Sequence, residues 1–126
     1  MKKRKTLVVD RGKCSCKGHY LDKLIQPKIL VLLNKYQEGL HGYRIIEILN
    51  QQPLWNEPVD STGIYRTLNV MEERGLLLSD WDTSSTGPAK KIYKITEEGR
   101  DCLKNWLQTL KKYQESILQI LRDYES

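Results

Sequence analysis

Asp60-Ser61-Thr62-Gly63-Ile64-Tyr65-Arg66-Thr67-Leu68-Asn69-Val70-Met71-Glu72-Glu73-Arg74-Gly75 is the stretch on which the fold turns. It reads as one helix with a start signal, a stop signal and two unlike faces. Asp60 or Ser61 can accept hydrogen bonds from the first free N–H groups. Gly75 suits the left-handed position just past a helix end, and Arg74 complements the negative end of the dipole. Ile64, Leu68 and Met71 follow the i, i+4, i+7 rule and face a core. Thr62, Tyr65, Arg66 and Asn69 lie largely off that face. Hydroxyl, amide and guanidinium groups on the outer face of a core-packed helix suit entry into a DNA major groove. Taken alone, the helix reads better as an ordinary amphipathic one with a solvated face, and its neighbours change that balance.

On the C-terminal side the period changes. Leu76-Leu77-Leu78-Ser79-Asp80-Trp81 and Lys91-Ile92-Tyr93-Lys94-Ile95 read as strands, and the residues between them, Asp82 to Lys90, are rich in turn formers. Two strands so joined make a hairpin, the wing of a winged helix-turn-helix. Lys90 and Lys91, expected near its tip, are placed either to meet phosphate or to protect an exposed strand edge. Thr96 then N-caps a last helix that has Glu97 and Glu98 in its first turn. Leu103, Leu110, Ile117 and Tyr124 are seven apart, as are Trp106, Tyr113 and Ile120. This heptad seam is too long for a small body to cover, so it calls for a partner, most economically a second copy of the chain.

On the N-terminal side, Leu21, Ile25, Ile29, Leu32, Leu33 and Tyr36 mark a helix with Pro27 at its first turn or at a kink, ended by Gly39. A second helix is expected over His41 to Asn50, with Ile45 or Ile46 and Leu49 inward and His41 at the surface or in a cap. Pro53 closes that helix. Leu54 to Val59 is a linker pinned by Trp55. The architecture expected is therefore mainly α with a small β-hairpin: a basic arm over residues 1–20, a winged helix-turn-helix over 21–96, and a C-terminal dimerisation helix over 97–126.

Composition narrows the function classes. The 126 residues are 39% hydrophobic and 29% charged, with a net charge of +5. Seven of the 21 basic residues and one of the 16 acidic residues fall within positions 1–18, which leaves 14 against 15 for the rest. The body is close to neutral, and the arm can bind phosphates by counterion release. No apolar run approaches the ~20 residues of a membrane span. No secretory h-region follows Lys2 to Lys5. With three cysteines, this points to a reducing, cytoplasmic setting. The chain has no Ser/His/Asp set, no Gly-rich phosphate loop and no acid pair on one face, so an enzyme is not expected. Cys14, Cys16 and His19 stand in Cys-x-Cys-x-x-His spacing, which can supply three ligands to zinc. The spacing departs from the usual Cys-x(2–4)-Cys pattern, and a fourth ligand would have to come from Cys102, His41 or a second subunit. Two reduced thiols beside a surface histidine, or a redox-sensing pair activated by nearby lysines, are the other readings.

The order helix, helix, linker, recognition-type helix, hairpin, long helix resembles the PadR family of transcriptional regulators over about residues 27–125. The stretches that carry the resemblance are His41-Gly42-Tyr43, Ser61 to Leu68 running into Glu72-Glu73-Arg74-Gly75-Leu76, and Tyr93-Lys94-Ile95-Thr96-Glu97-Glu98-Gly99-Arg100 with Trp106. The resemblance implies a homodimeric repressor of the shorter, single-C-terminal-helix branch that binds double-stranded DNA. Its C-terminal helix would pair with the N-terminal helical region of the other subunit. Tyr65 would contact the DNA backbone, with Ser61 and Thr62 near phosphate at the helix N-terminus and Arg66 and Asn69 against a base or phosphate. Some members sense flat aromatic compounds through a tryptophan on the C-terminal helix. Trp106 lies on that helix, at a seam position that also suits packing. The Cys14–His19 arm matches nothing in the family pattern. A winged-helix interaction module that does not read DNA is the rival expectation.

Overall fold

The computed structural model describes residues 24–51, 60–84 and 86–126. The elements are α1 (Ile25–Lys35), β1 (Leu40–His41), α2 (Gly42–Gln51), α3 (Ser61–Glu73), β2 (Leu77–Asp82), β3 (Lys90–Ile95) and α4 (Glu97–Glu125). The strands form one antiparallel sheet in the order β1-β3-β2.

Pro27 sits in the first turn of α1, where a missing N–H costs no helical hydrogen bond. Ile29, Leu30, Leu32 and Leu33 are buried, while Val31 faces out. The helix ends at Lys35, earlier than the position of Gly39 suggests. Gly39 has a different task. With φ +100° it turns the chain into β1, and a Cβ there would meet the Ile92 side chain at 2.6 Å. Of the two residues of β1, His41 was expected as the start of the second helix and Leu40 was in no expected element. Leu40 and His41 pair with Tyr93 and Ile92 of β3, so the expected hairpin is the larger part of a three-stranded sheet.

Asp60 is the N-cap of α3, accepting from the Gly63 N–H at 3.2 Å. At the other end Gly75, φ +79°, donates to the Glu72 carbonyl and Leu76 to the Met71 carbonyl, the paired bonds of a Schellman cap. Both ends therefore stop where the sequence places them. β2 begins and ends one residue later than expected and β3 begins one residue earlier, with Leu77 opposite Ile95 and Asp82 opposite Lys90. Lys90 and Lys91 consequently open β3 at the base of the 83–89 loop rather than standing near its tip.

Ile29, Leu30, Leu33, Ile45, Ile64, Leu68 and Met71 fill the centre of the core, and Tyr93 closes it from β3. α4 enters through Leu103, with Cys102 and Trp106 packed partly buried beside it. Thr96 holds this entry. Its Oγ1 accepts from the Gly99 N–H at 2.9 Å and donates to the Gly75 carbonyl at 2.6 Å. Gly99 is buried where a Cβ would run into the Leu76 carbonyl oxygen and lie 2.7 Å from Ile95 Cγ1. Beyond Leu110 every side chain of α4 is exposed. Tyr113, Ile117, Ile120 and Tyr124 lie in the expected seam, and Leu118 and Leu121, also open to water, widen it.

Gly99→Ala forces backbone and core to separate at the α4 entry. It should cost about 1–3 kcal/mol, the range of overpacked sites, read as a lower denaturation midpoint in urea with an unchanged slope.

Candidate nucleic-acid interface

α3 buries Ile64, Leu68 and Met71 and exposes Ser61, Thr62, Tyr65, Arg66 and Asn69, the partition expected from the spacing. Ser61, Thr62, Arg66 and Asn69 have no side-chain hydrogen bond or ion pair among the described residues. Their polar groups are uncommitted and open to a ligand.

Tyr65 is held differently. Its ring lies over Gly42 at the start of α2, where a Cβ would fall 2.6 Å from Tyr65 Cε1 and 3.3 Å from the hydroxyl. Gly42 thus sets how closely α2 and α3 approach, and any larger residue would push Tyr65 away. The glycine inside His41-Gly42-Tyr43 was its only sequence signal.

Glu72, on the last turn of α3, ties the helix to the wing. One carboxylate oxygen accepts from Ser79 Oγ of β2 at 2.6 Å, and the other lies 3.7 Å from Lys91 Nζ of β3. The Lys91 ammonium also sits 5.7 Å from the Trp81 ring and 5.8 Å from the Tyr93 ring. Buried Tyr93 keeps its proton above the usual range, first through burial, then through the Glu72 charge and Tyr65. Lys90 lies 4.9 Å over the Tyr43 ring. Tyr43 in turn stacks on His41, whose Nε2 is 2.8 Å from Asp82 Oδ2. Both lysines are therefore oriented by aromatic neighbours, and Lys91 also lies beside an acid.

Tyr65, Asn69 and Lys91 come together in one notch of about 360 Å³, lined also by Gly42, Tyr43, Trp81 and Tyr93. Trp106 takes no part in it. It sits on α4, half-buried against the core. Cys14, Cys16 and His19 lie outside the described residues. Among the described residues no three His, Cys, Asp or Glu side chains cluster as metal ligands. His41, a suggested fourth ligand, is engaged with Asp82.

A helix-turn-helix pair, a recognition helix capped at both ends and a hairpin tied to that helix define the winged-helix class. Residues 29–105 match the Transcriptional regulator PadR-like family, and the chain belongs to that family. A PadR-like transcriptional regulator from Bacillus cereus superposes with a TM-score of 0.67 at 27% identity, over 80% of this chain and 94% of that one. A PadR family transcription regulator from Clostridium difficile gives 0.67 at 26% identity, over 78% and 98%. No curated protein matches. The family consists of transcription regulators rather than enzymes, with DNA as the partner. No helix among the described residues is long and apolar enough to cross a membrane.

The His41–Asp82 contact fastens the wing to β1. Asp82 also accepts from the Ser84 hydroxyl and the Ser84 N–H, at 2.6 and 3.0 Å. These two bonds, then the one with His41, lower its pKa from 3.8 to about 2. A carboxyl whose folded pKa is depressed stabilises the fold fully above its unfolded value, and that stabilisation is lost as pH falls through the folded value. Unfolding followed between pH 5 and 2 should show an acid-dependent loss of stability below about 3.8 that Asp82→Asn reduces. An identical pH profile in the variant would remove Asp82 from the account.

Proposed function

We propose that the protein is a homodimeric transcriptional repressor that binds operator DNA in the cytoplasm and is released by an effector. The observation that carries this reading is the uncommitted polar face of α3 beside a wing tied to the same helix. Ser61 and Thr62 meet phosphate at the helix N-terminus, Tyr65 meets the backbone, and Arg66 and Asn69 read base edges or phosphate. Lys90 and Lys91 approach the strand from the wing. Residues 1–20 serve as a basic arm, 21–96 as the winged helix-turn-helix and 97–126 as the dimerisation helix.

The dimer is supported by the exposed apolar stripe of α4 and by a groove of about 300 Å³ lined by Pro27, Val31, Leu32, Ile48, Leu49 and Leu110 among others. A helix carrying Ile117, Ile120 and Tyr124 from a second copy fits such a groove in chemistry, because both surfaces are apolar. Trp106, half-buried where α4 leaves the core, is the residue through which a flat aromatic effector would act. Zinc at Cys14, Cys16 and His19 is a separate proposal, tested by metal content before and after Cys16→Ser.

Binding of duplexes from the region upstream of the protein's own gene, against random duplexes over a salt series, tests the reading. Tighter binding is expected to a two-fold repeat whose half-sites lie about one helical turn apart. Arg66→Ala should cost ~1–3 kcal/mol on that site if Arg66 reads a base, and Lys90→Ala should weaken all duplexes alike with a salt slope smaller by about 1. DNA affinity that vanishes with deletion of residues 1–18, while the fold survives, would support the interaction-module reading instead. Ile120→Asp should give a monomer in sedimentation and lose the preference for a two-fold site.

A further inference from the structure

The notch between α2, α3 and the wing is walled by aromatic side chains that the core does not need. Trp81 is 60% exposed, Tyr43 49% and Tyr65 41%. Each carries a polar end, an indole N–H or a phenol hydroxyl, and none of these makes a side-chain hydrogen bond among the described residues. Asn69 contributes an uncommitted amide from α3, and the Lys91 ammonium stands beside the Trp81 ring. Three exposed aromatic rings grouped around one notch, next to a cation and with free donors among them, form a patch of the kind that marks a binding surface.

We infer that this notch seats one deoxyribose-phosphate of the bound DNA strand, with Trp81 as the platform for the sugar. The sugar's C–H surface lies on the indole. The phosphate oxygens accept from the Trp81 Nε1–H, the tyrosine hydroxyls and Lys91. The inference rests on the DNA reading above and adds a contact to it. Its occupant follows from position and chemistry. Tyr65 and Asn69 belong both to the exposed face of α3 and to the notch wall, so the notch adjoins the path of a strand bordering a groove that α3 enters. Glu72 already holds part of the Lys91 charge, so the seat depends on apolar contact and hydrogen bonding more than on net charge.

That balance gives the contact a signature. Counterion release sets the slope of log affinity against log salt, and a contact that releases few ions lowers affinity without changing the slope. Trp81→Ala should weaken binding of specific and random duplexes alike, on the order of tenfold at every salt concentration, with an unchanged slope. Trp81→Phe should recover most of the loss. In a protein carrying Trp55→Phe and Trp106→Phe, duplex should quench the remaining Trp81 emission. This second measurement decides the matter should Trp81→Ala fail to fold.

Wild-type affinity in Trp81→Ala, or Trp81 emission unchanged by saturating duplex, overturns the inference while leaving the DNA reading intact. Emission that responds to flat aromatic carboxylates and not to duplex overturns it in favour of a ligand site. Absence of any duplex binding by the unaltered protein defeats the DNA reading itself.

Discussion

The hydroxyl of Thr96 joins three parts of the molecule at one point. It caps α4 through the Gly99 N–H and reaches back to the Gly75 carbonyl that ends the cap of α3. The Thr96 N–H donates to the Leu76 carbonyl, against which Gly99 packs without a side chain. The end of the recognition helix, the base of the wing and the first turn of the long helix are therefore bonded to one another with no flexible segment between them. N-cap bonds contribute on the order of 1 kcal/mol each, but the geometric effect is larger. The direction of α4 follows from the orientation of α3, and whatever holds α4 also aims α3.

The elements that could be read from sequence are those with a local cause. The caps of α3, its buried triad and the heptad spacing of α4 depend on residues a few positions apart, and the structure has them. β1 escaped because two residues have no period to detect. Lys90 and Lys91 were placed near the tip because strand ends are set by pairing, and pairing is visible only once Asp82 is found opposite Lys90. The notch escaped for a related reason. Its walls come from positions 42, 43, 65, 69, 81, 91 and 93, which no spacing rule connects. Gly42 beneath Tyr65 and Glu72 between Ser79 and Lys91 are of the same kind. Each is an ordinary residue in its own helix that gains its meaning from a partner supplied by the fold.

The electrostatics of the interface are sparing. Outside the first 18 residues the chain is nearly neutral, and on the wing side of α3 Glu72 shares the charge of Lys91. Arg66 keeps an uncommitted cation on the exposed face. Such a surface discriminates by hydrogen bonding and shape better than it attracts over distance, which suits it to rejecting wrong sequences. On the proposed reading, long-range attraction would fall to the basic residues at the N-terminal end of the sequence, and capture and reading would be separated along the chain.

The outer half of α4 bears on how much protein a cell can hold in working form. Ile120 is 65% exposed and Tyr124 90%, within a stripe of six large apolar side chains. A lone chain carries that stripe exposed to water, where it invites aggregation and proteolysis. With a second copy as its cover, the population of intact dimers falls as the square of chain concentration at low levels. A modest drop in synthesis then empties DNA more steeply than in proportion, and the unpaired chains left behind are the ones most readily cleared. In the proposed dimer the stripe would thus make regulation by abundance sharper than the affinity of either DNA-binding unit alone.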